Sequence, residues 1–219
     1  MHYRLAVFDL DGTVLDTLAD LATAVNAALS HHCYPERTVG EVCSFVGNGV
    51  KKLIERAVPD GTVPEKTDAV FEDFMAYYRL HCADKTAPYD GIPEMLTDLR
   101  AAGVRLAVLS NKAHAATVAL CERYFPQLFD AVLGEREAMG IRKKPAPDAL
   151  FSLMREMGVT AKETVYIGDS DVDVQTAAAA GVDLLAVSWG FRSAKLLREV
   201  GATVIADSTE ELKNLILTK

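Results

Sequence analysis

Four groups of polar residues in this chain have the types and spacing to do chemistry together. The first is Asp9-Leu10-Asp11-Gly12-Thr13, where an apolar run ends on two carboxylates two positions apart. Ser110-Asn111-Lys112 closes a second apolar run, and Gly168-Asp169-Ser170-Asp171-Val172-Asp173 closes a later one. Between these two lies the basic cluster Arg142-Lys143-Lys144, followed by Pro145. Two acids as close as Asp9 and Asp11 repel each other unless positive charge sits between or above them. Residues two apart on an extended chain point the same way, so both can face one pocket, and Gly12 permits a sharp turn away from the strand. Carboxylates from Asp9 and Asp169 can hold a hard divalent cation, which prefers oxygen ligands and suits phosphate chemistry. Ser110 offers a hydroxyl and a backbone N–H beside an expected helix start, a cradle for phosphate. Lys144 brings the positive charge that the acidic pocket otherwise lacks, and Pro145 disfavours helical geometry at that lysine. Each group has a plainer reading, as a helix cap or a solvated basic cluster. Their placement at one edge of one sheet favours a magnesium and phosphate site.

That edge requires a parallel sheet. Short apolar runs at Leu5–Phe8, Leu106–Leu109, Ala131–Leu133, Thr164–Ile167, Leu184–Val187 and Thr203–Ile205 read as strands, several of them continuous, as in a sheet covered on both faces. Helical patterns at Pro93–Ala102, Ala113–Tyr124, Asp148–Met157 and Val172–Ala180 lie between them, with Gly103, Gly158 and Gly181 placed as left-handed caps. Alternating elements predict a doubly wound α/β domain, in which ligands bind at the carboxyl ends of the strands. From Thr17 to Lys85 the alternation stops. Leu18, Leu21, Ala22, Val25 and Leu29 make one helical stripe, and Val70, Phe74 and Tyr77 another. The expected organisation is an α/β core of residues 1–16 and 86–219 with a helical domain, 17–85, inserted after the first strand.

Composition narrows the partners. Half of the 219 residues are hydrophobic and a quarter charged, which describes a globular protein with ample core. A formal net charge of −8 argues against nucleic acid or an anionic membrane as main partner, while leaving small phosphorylated ligands open to a few local cations. No apolar run approaches a membrane span, and Leu5–Phe8 is too short for a secretory signal. Cys33, Cys43, Cys82 and Cys121 are scattered without Cys-x-x-Cys spacing, so reduced thiols in a cytoplasmic protein are expected rather than a zinc site.

Asp9-Leu10-Asp11-Gly12-Thr13, Ser110-Asn111, Lys144-Pro145 and Gly168-Asp169-Ser170 with Asp173, in this order, resemble the four motifs of the haloacid dehalogenase superfamily. The likeness spans nearly the whole chain, and the helical block resembles that superfamily's helical cap. Within it, FVGNGVKKLIERAV (Phe45–Val58) is similar to a segment of phosphoglycolate phosphatases. The resemblance implies a Rossmann-like core and Mg²⁺-dependent hydrolysis of a small phosphate monoester, 2-phosphoglycolate first among them, by a monomer or homodimer. It implies Asp9 as nucleophile forming an aspartyl-phosphate, and Asp11 as acid and then base, its backbone carbonyl also a metal ligand. Thr13 orients the loop, and Ser110, Asn111 and Lys144 hold phosphate. Asp169 binds Mg²⁺, with Asp173 as a further ligand or as support. Lys143 competes with Lys144 for its role, and Asp171 lies between the two motif acids. For the substrate's carboxylate, Gly47-Asn48-Gly49 before an expected helix exposes backbone N–H groups, with Arg56 and Lys51 as cationic helpers; a plain interhelical turn explains the glycines equally well. A sugar phosphomutase, a pyrophosphatase and a nucleotidase are alternatives on the same fold, Thr13 favouring a phosphatase over a mutase. A dinucleotide-binding protein would need a Gly-x-Gly-x-x-Gly turn after the first strand, where the chain has Asp9-Leu10-Asp11-Gly12. A non-catalytic module would be expected to lack one of the acids.

Overall fold

The structure, a computed structural model, describes residues 3–218. In chain order the elements are β1 (Leu5–Phe8), β2 (Leu15–Asp16), α1 (Leu18–His31), α2 (Val39–Phe45), α3 (Val50–Ala57), α4 (Pro64–His81) and β3 (Ala87–Pro88). They continue as α5 (Ile92–Ala101), β4 (Arg105–Ala113), α6 (His114–Tyr124), β5 (Ala131–Glu135), α7 (Asp148–Met157) and β6 (Thr164–Gly168). The chain closes with α8 (Asp171–Ala180), β7 (Asp183–Val187), α9 (Ala194–Glu199), β8 (Ile205–Ala206) and α10 (Thr209–Leu217). Two compact units result, Asp16–Ala87 and the remainder. No helix among the described residues is long and apolar enough to cross a membrane.

The larger unit is built on a six-stranded sheet ordered β5-β4-β1-β6-β7-β8, with every pairing that joins these strands parallel. Leu5, Ala6, Val7 and Phe8 are all fully buried, which is why β1 reads as an unbroken apolar run at the sheet's centre. Leu5 and Val7 pack with Ala107, Leu109 and Tyr166 against Leu150 and Leu153 of α7 and Ala177 of α8. The chain runs outward from β1 to β4 and β5, then returns to the other side for β6, β7 and β8, so strand order reverses at β1. Phe8 lies level with Val108 and Ile167, which brings the residues following β1 and β6 to one height on the sheet edge. Gly103, Gly158 and Gly181 follow their helices with positive φ, as the sequence predicts.

Several strand ends differ from expectation, those of β4 and β8 most. The last strand is Ile205–Ala206 rather than Thr203–Ile205. β4 continues past Leu109 through Ser110, Asn111 and Lys112 to Ala113, so Ser110 stands within a strand, while the following helix begins at His114, one residue after its expected start. Pairing of β4 with β5 resumes at Ala113–Glu135 after a shift in register, and this keeps the polar segment extended.

In the smaller unit, Leu21, Ala22, Val25 and Leu29 of α1 pack with Val42, Leu53, Ile54, Val70, Phe74 and Tyr78. The buried stripe of α4 advances by four, so Tyr78 takes the place expected of Tyr77, which is only partly buried. Asp20 is the conspicuous polar residue of this unit, 2 % exposed. It accepts from Lys85 N at 3.0 Å on both oxygens, and from Thr86 N and Thr86 Oγ1 at 2.8 Å. It thereby satisfies the backbone where the chain leaves the unit. Replacing it leaves these donors buried without a carboxylate. Asp20→Ala is expected to cost roughly 3 kcal/mol of stability. Urea denaturation should show this as a lower midpoint with unchanged slope; an unchanged midpoint would refute the structural role.

Candidate active site

Lys144 is the hub of the strand-end cluster. Its side chain is 3 % exposed, and Nζ lies 2.9 Å from Asp9 Oδ1 and 2.7 Å from Asp173 Oδ1. Asn111 fixes the lysine's backbone, accepting from Lys144 N on Oδ1 at 2.9 Å and donating from Nδ2 to Lys144 O at 3.0 Å. Asp173 sits on the first turn of α8, in a reciprocal cap where Ser170 N and Oγ donate to Oδ2. Its other oxygen accepts from Tyr166 OH at 3.2 Å as well as from Lys144. One buried carboxylate therefore starts a helix and anchors the lysine.

Asp9, Asp169 and Asp173 each offer an oxygen within 4.8 Å of the others. Asp9 Oδ1 takes both Leu10 N, at 2.7 Å, and Lys144. Asp169 is gripped on both oxygens: Thr13 Oγ1 donates to Oδ1 at 3.0 Å and Phe191 N to Oδ2 at 2.7 Å. Trp189 Nε1 donates to Thr13 O at 3.0 Å, so the segment after β7 holds the Asp9 loop and Asp169 together. A Cβ on Gly190 would lie 2.3 Å from Asp169 Cβ and 2.4 Å from Gly12 O.

Asp11 stands apart from these three carboxylates. Its Oδ1 accepts from Lys112 Nζ at 2.7 Å, the lysine side chain being 5 % exposed. The closely spaced acids at the end of β1 are thus each met by a separate buried lysine. Ser110 is buried in β4, where its Oγ accepts from Lys112 N at 3.2 Å.

Other candidates face elsewhere. Lys143 pairs with Glu137 at 3.2 Å, and Arg142 with Asp148 at 2.9 Å, so Lys144 alone of the basic run enters the cluster. Asp171 lies 3.4 Å from Arg192 Nε. Gly47-Asn48-Gly49 forms the turn between α2 and α3, with positive φ at both glycines and Gly49 at the N-cap of α3. Arg56 donates to Phe45 O at 2.7 Å and Asn48 Oδ1 at 2.8 Å, which braces that turn, while Lys51 pairs with Asp68. Reading the sequence for polar residues gave Lys112 no role and missed Tyr166 and Trp189-Gly190-Phe191. The rule that singled out the other strand ends reaches the last segment when applied to β7; Lys112 was visible as the third polar residue of its run.

Burial raises the Asp9 carboxyl well above the ordinary range; Lys144 opposes this, while Asp173 and Asp169 add to it. Asp169 is pushed up to about 7 by burial and by Asp173, against the hydrogen bonds from Phe191 and Thr13. For Lys144 burial disfavours the ammonium, but Asp173 and Asp9 outweigh it and hold the pKa above that of an ordinary lysine. The arrangement is a preformed all-oxygen acidic site with one buried cation, suited to a hard divalent ion and a phosphoryl group.

Known proteins share this fold. The sequence model of haloacid dehalogenase-like hydrolases matches residues 6–187. The chain belongs to that family. A phosphoglycolate phosphatase of Chromobacterium violaceum is 33% identical over 98% of this chain and 97% of its own, and one of Pseudomonas savastanoi pv. phaseolicola is 35% identical over 95% and 78%. A crystal structure from Lactobacillus delbrueckii subsp. bulgaricus, whose protein carries the provisional name phosphoglycolate phosphatase, superposes with a TM-score of 0.95 at 39% identity over the full length of both chains. Within its family this chain is a phosphatase, a hydrolase of phosphoric monoesters that resembles the phosphoglycolate phosphatases.

The raised acids make stability depend on pH in a direction opposite to that of surface carboxylates. Glu163, bonded to Arg4, has its pKa lowered to about 2 and is ionised throughout the neutral range. Asp169 titrates near 7 when folded and near 3.9 when unfolded, so between these values the folded state binds more protons. Its contribution therefore weakens as pH rises through that window. With divalent cations chelated, the melting temperature of the wild-type protein relative to Asp169→Asn should fall between about pH 5 and pH 7. Calorimetry at several pH values checks this; parallel profiles for the two proteins would show that Asp169 does not titrate there.

Proposed function

We propose that this protein is a cytoplasmic, Mg²⁺-dependent phosphatase that converts 2-phosphoglycolate to glycolate and phosphate through an aspartyl-phosphate on Asp9. The observation that carries the reading is the buried constellation of Asp9, Asp169, Asp173 and Lys144 at the sheet's strand ends. The names of the curated relatives support the choice of substrate.

The donor set fits Mg²⁺: oxygens only, close together, and preformed. Asp9, Asp169 and the backbone carbonyl of Asp11 would hold the ion. Each oxygen of Asp173 accepts two donors, Lys144 and Tyr166 on one and Ser170 N and Oγ on the other, whereas each oxygen of Asp169 accepts one, so Asp169 is left to hold the ion and Asp173 acts through the lysine. When bound, Mg²⁺ would supply positive charge that offsets the repulsion between the carboxylates and a phosphoryl group. Asp9 Oδ1 is committed to Leu10 N and Lys144, which orients Oδ2 as the attacking atom. That oxygen forms a bond to phosphorus as the bond to the glycolate oxygen breaks, and Asp11 gives its proton to the leaving oxygen. Asp11 then takes a proton from water, the water oxygen attacks phosphorus, and the bond to Asp9 breaks to release phosphate. Lys144 and Ser110 steady the phosphoryl oxygens, and Lys112 sets the direction of the Asp11 carboxyl before substrate arrives.

Steady-state assays with Mg²⁺ on 2-phosphoglycolate, a hexose phosphate, pyrophosphate and a nucleotide test the substrate. The expected kcat/KM for phosphoglycolate exceeds the others by at least about tenfold. A preference for any other compound would reassign the substrate. Asp9→Asn should lower kcat by about a thousandfold or more, and Asp11→Asn should let acid-stable phosphoprotein accumulate. Retention of substantial activity by folded Asp9→Asn would remove the covalent mechanism.

A further inference from the structure

We propose that His31, His32 and Asp73, in the helical unit, form a second cation site, separate from the acidic cluster and selective for a borderline divalent metal such as Zn²⁺. Adjacent residues on a continuing helix diverge by about 100° around its axis and would not meet at one atom. Here α1 ends at His31, His32 caps it, and Cys33 turns left-handed with φ 57°. The two rings are thereby free to turn to the same side. His31 Nδ1 lies 2.7 Å, and His32 Nε2 2.8 Å, from a single oxygen, Oδ2 of Asp73 on α4. Different nitrogens of neighbouring imidazoles thus converge on one carboxylate atom from another helix, and the three potential ligand atoms lie within 4.8 Å of one another.

Ion pairing alone does not favour this arrangement, because a second imidazolium at the same oxygen adds repulsion between the rings. A cation at the point of convergence suits all three groups. Two imidazoles and one carboxylate are the ligand types of tetrahedral Zn²⁺, or of Co²⁺ and Ni²⁺, whereas Mg²⁺ prefers an all-oxygen set such as Asp9 and Asp169. Tetrahedral ligands on Zn²⁺ are separated by about 3.3 Å, so the present N···O contacts must open by about half an ångström. Side-chain exposures of 73% for His31 and 37% for Asp73 allow that movement, while His32 is steadied by stacking on Tyr34. The exposed side leaves a fourth position for water. A bound ion would join the end of α1 to the middle of α4.

The test uses the full chain, freed of metal by chelation, and Zn²⁺ as probe. Saturating Mg²⁺ is kept present to occupy the acidic cluster. Isothermal titration should find one Zn²⁺ per chain, with histidine NMR signals of His31 and His32 shifted together on binding. His32→Ala and Asp73→Asn should each weaken Zn²⁺ binding by at least about tenfold, and His31→Gln, at the most exposed position, provides a change that spares the fold. Metal-free melting curves verify that each variant is folded. Zn²⁺ affinity unchanged in the folded variants, or binding lost altogether once Mg²⁺ is present, would overturn the site.

Discussion

The buried ammonium of Lys144, shared between Asp9 and Asp173, is the interaction on which the rest of the α/β unit depends. Moving a charge out of water costs several kcal/mol, and the cost is recovered only where partners and geometry are good. Here the partners come from the end of β1 and from the start of α8, and the lysine itself from the long segment after β5. Asn111 clamps the lysine backbone from β4, so three neighbouring strand ends are committed to placing one nitrogen. Removing Lys144 would leave acids without a counter-charge; removing Asp173 would orphan the lysine and the helix cap together.

One lysine cannot balance three carboxylates, and the protein leaves that imbalance in place. Burial first, and the neighbouring acids after it, hold Asp9 and Asp169 above their ordinary range in the metal-free state. Asp11 is removed from the contest by its own partner, Lys112. The two acids of the first motif, close in sequence, thus sit in distinct electrostatic surroundings. Such a separation gives chemically identical side chains different work.

Much of this was legible beforehand. The continuous apolar runs located the parallel strands, because residues covered on both faces cannot alternate, and three of the polar residues that follow those runs, Asp9, Asn111 and Asp173, meet at Lys144. The resemblance to a hydrolase family rested on those same residues. What the sequence obscured has physical causes. Ser110-Asn111-Lys112 looked like the approach to a helix because Ser and Asn cap helices, but pairing with β5 keeps the segment extended. Tyr77 and Tyr78 both fit a helical period, and only packing against the other helices selects the second. The role of Lys112 was hidden because a lysine is ordinarily solvated, and its partner stands about a hundred positions away in sequence. Arg56 looked like an anion ligand, yet its guanidinium is spent on bracing the turn that contains Asn48.

Gly190 carries a consequence for how the chain can vary. It is partly exposed to solvent and lies in neither a strand nor a helix, features that ordinarily mark a tolerant position. Yet the space where a side chain would begin is already taken by Asp169 and by the backbone oxygen of Gly12. The oxygen belongs to the main chain and cannot swing aside as the tip of a flexible side chain could. Even the smallest addition, one methyl group, would have to push apart the loop after β1 and the loop after β6. Tolerance at this position is therefore governed by the distance between two loops rather than by solvent exposure.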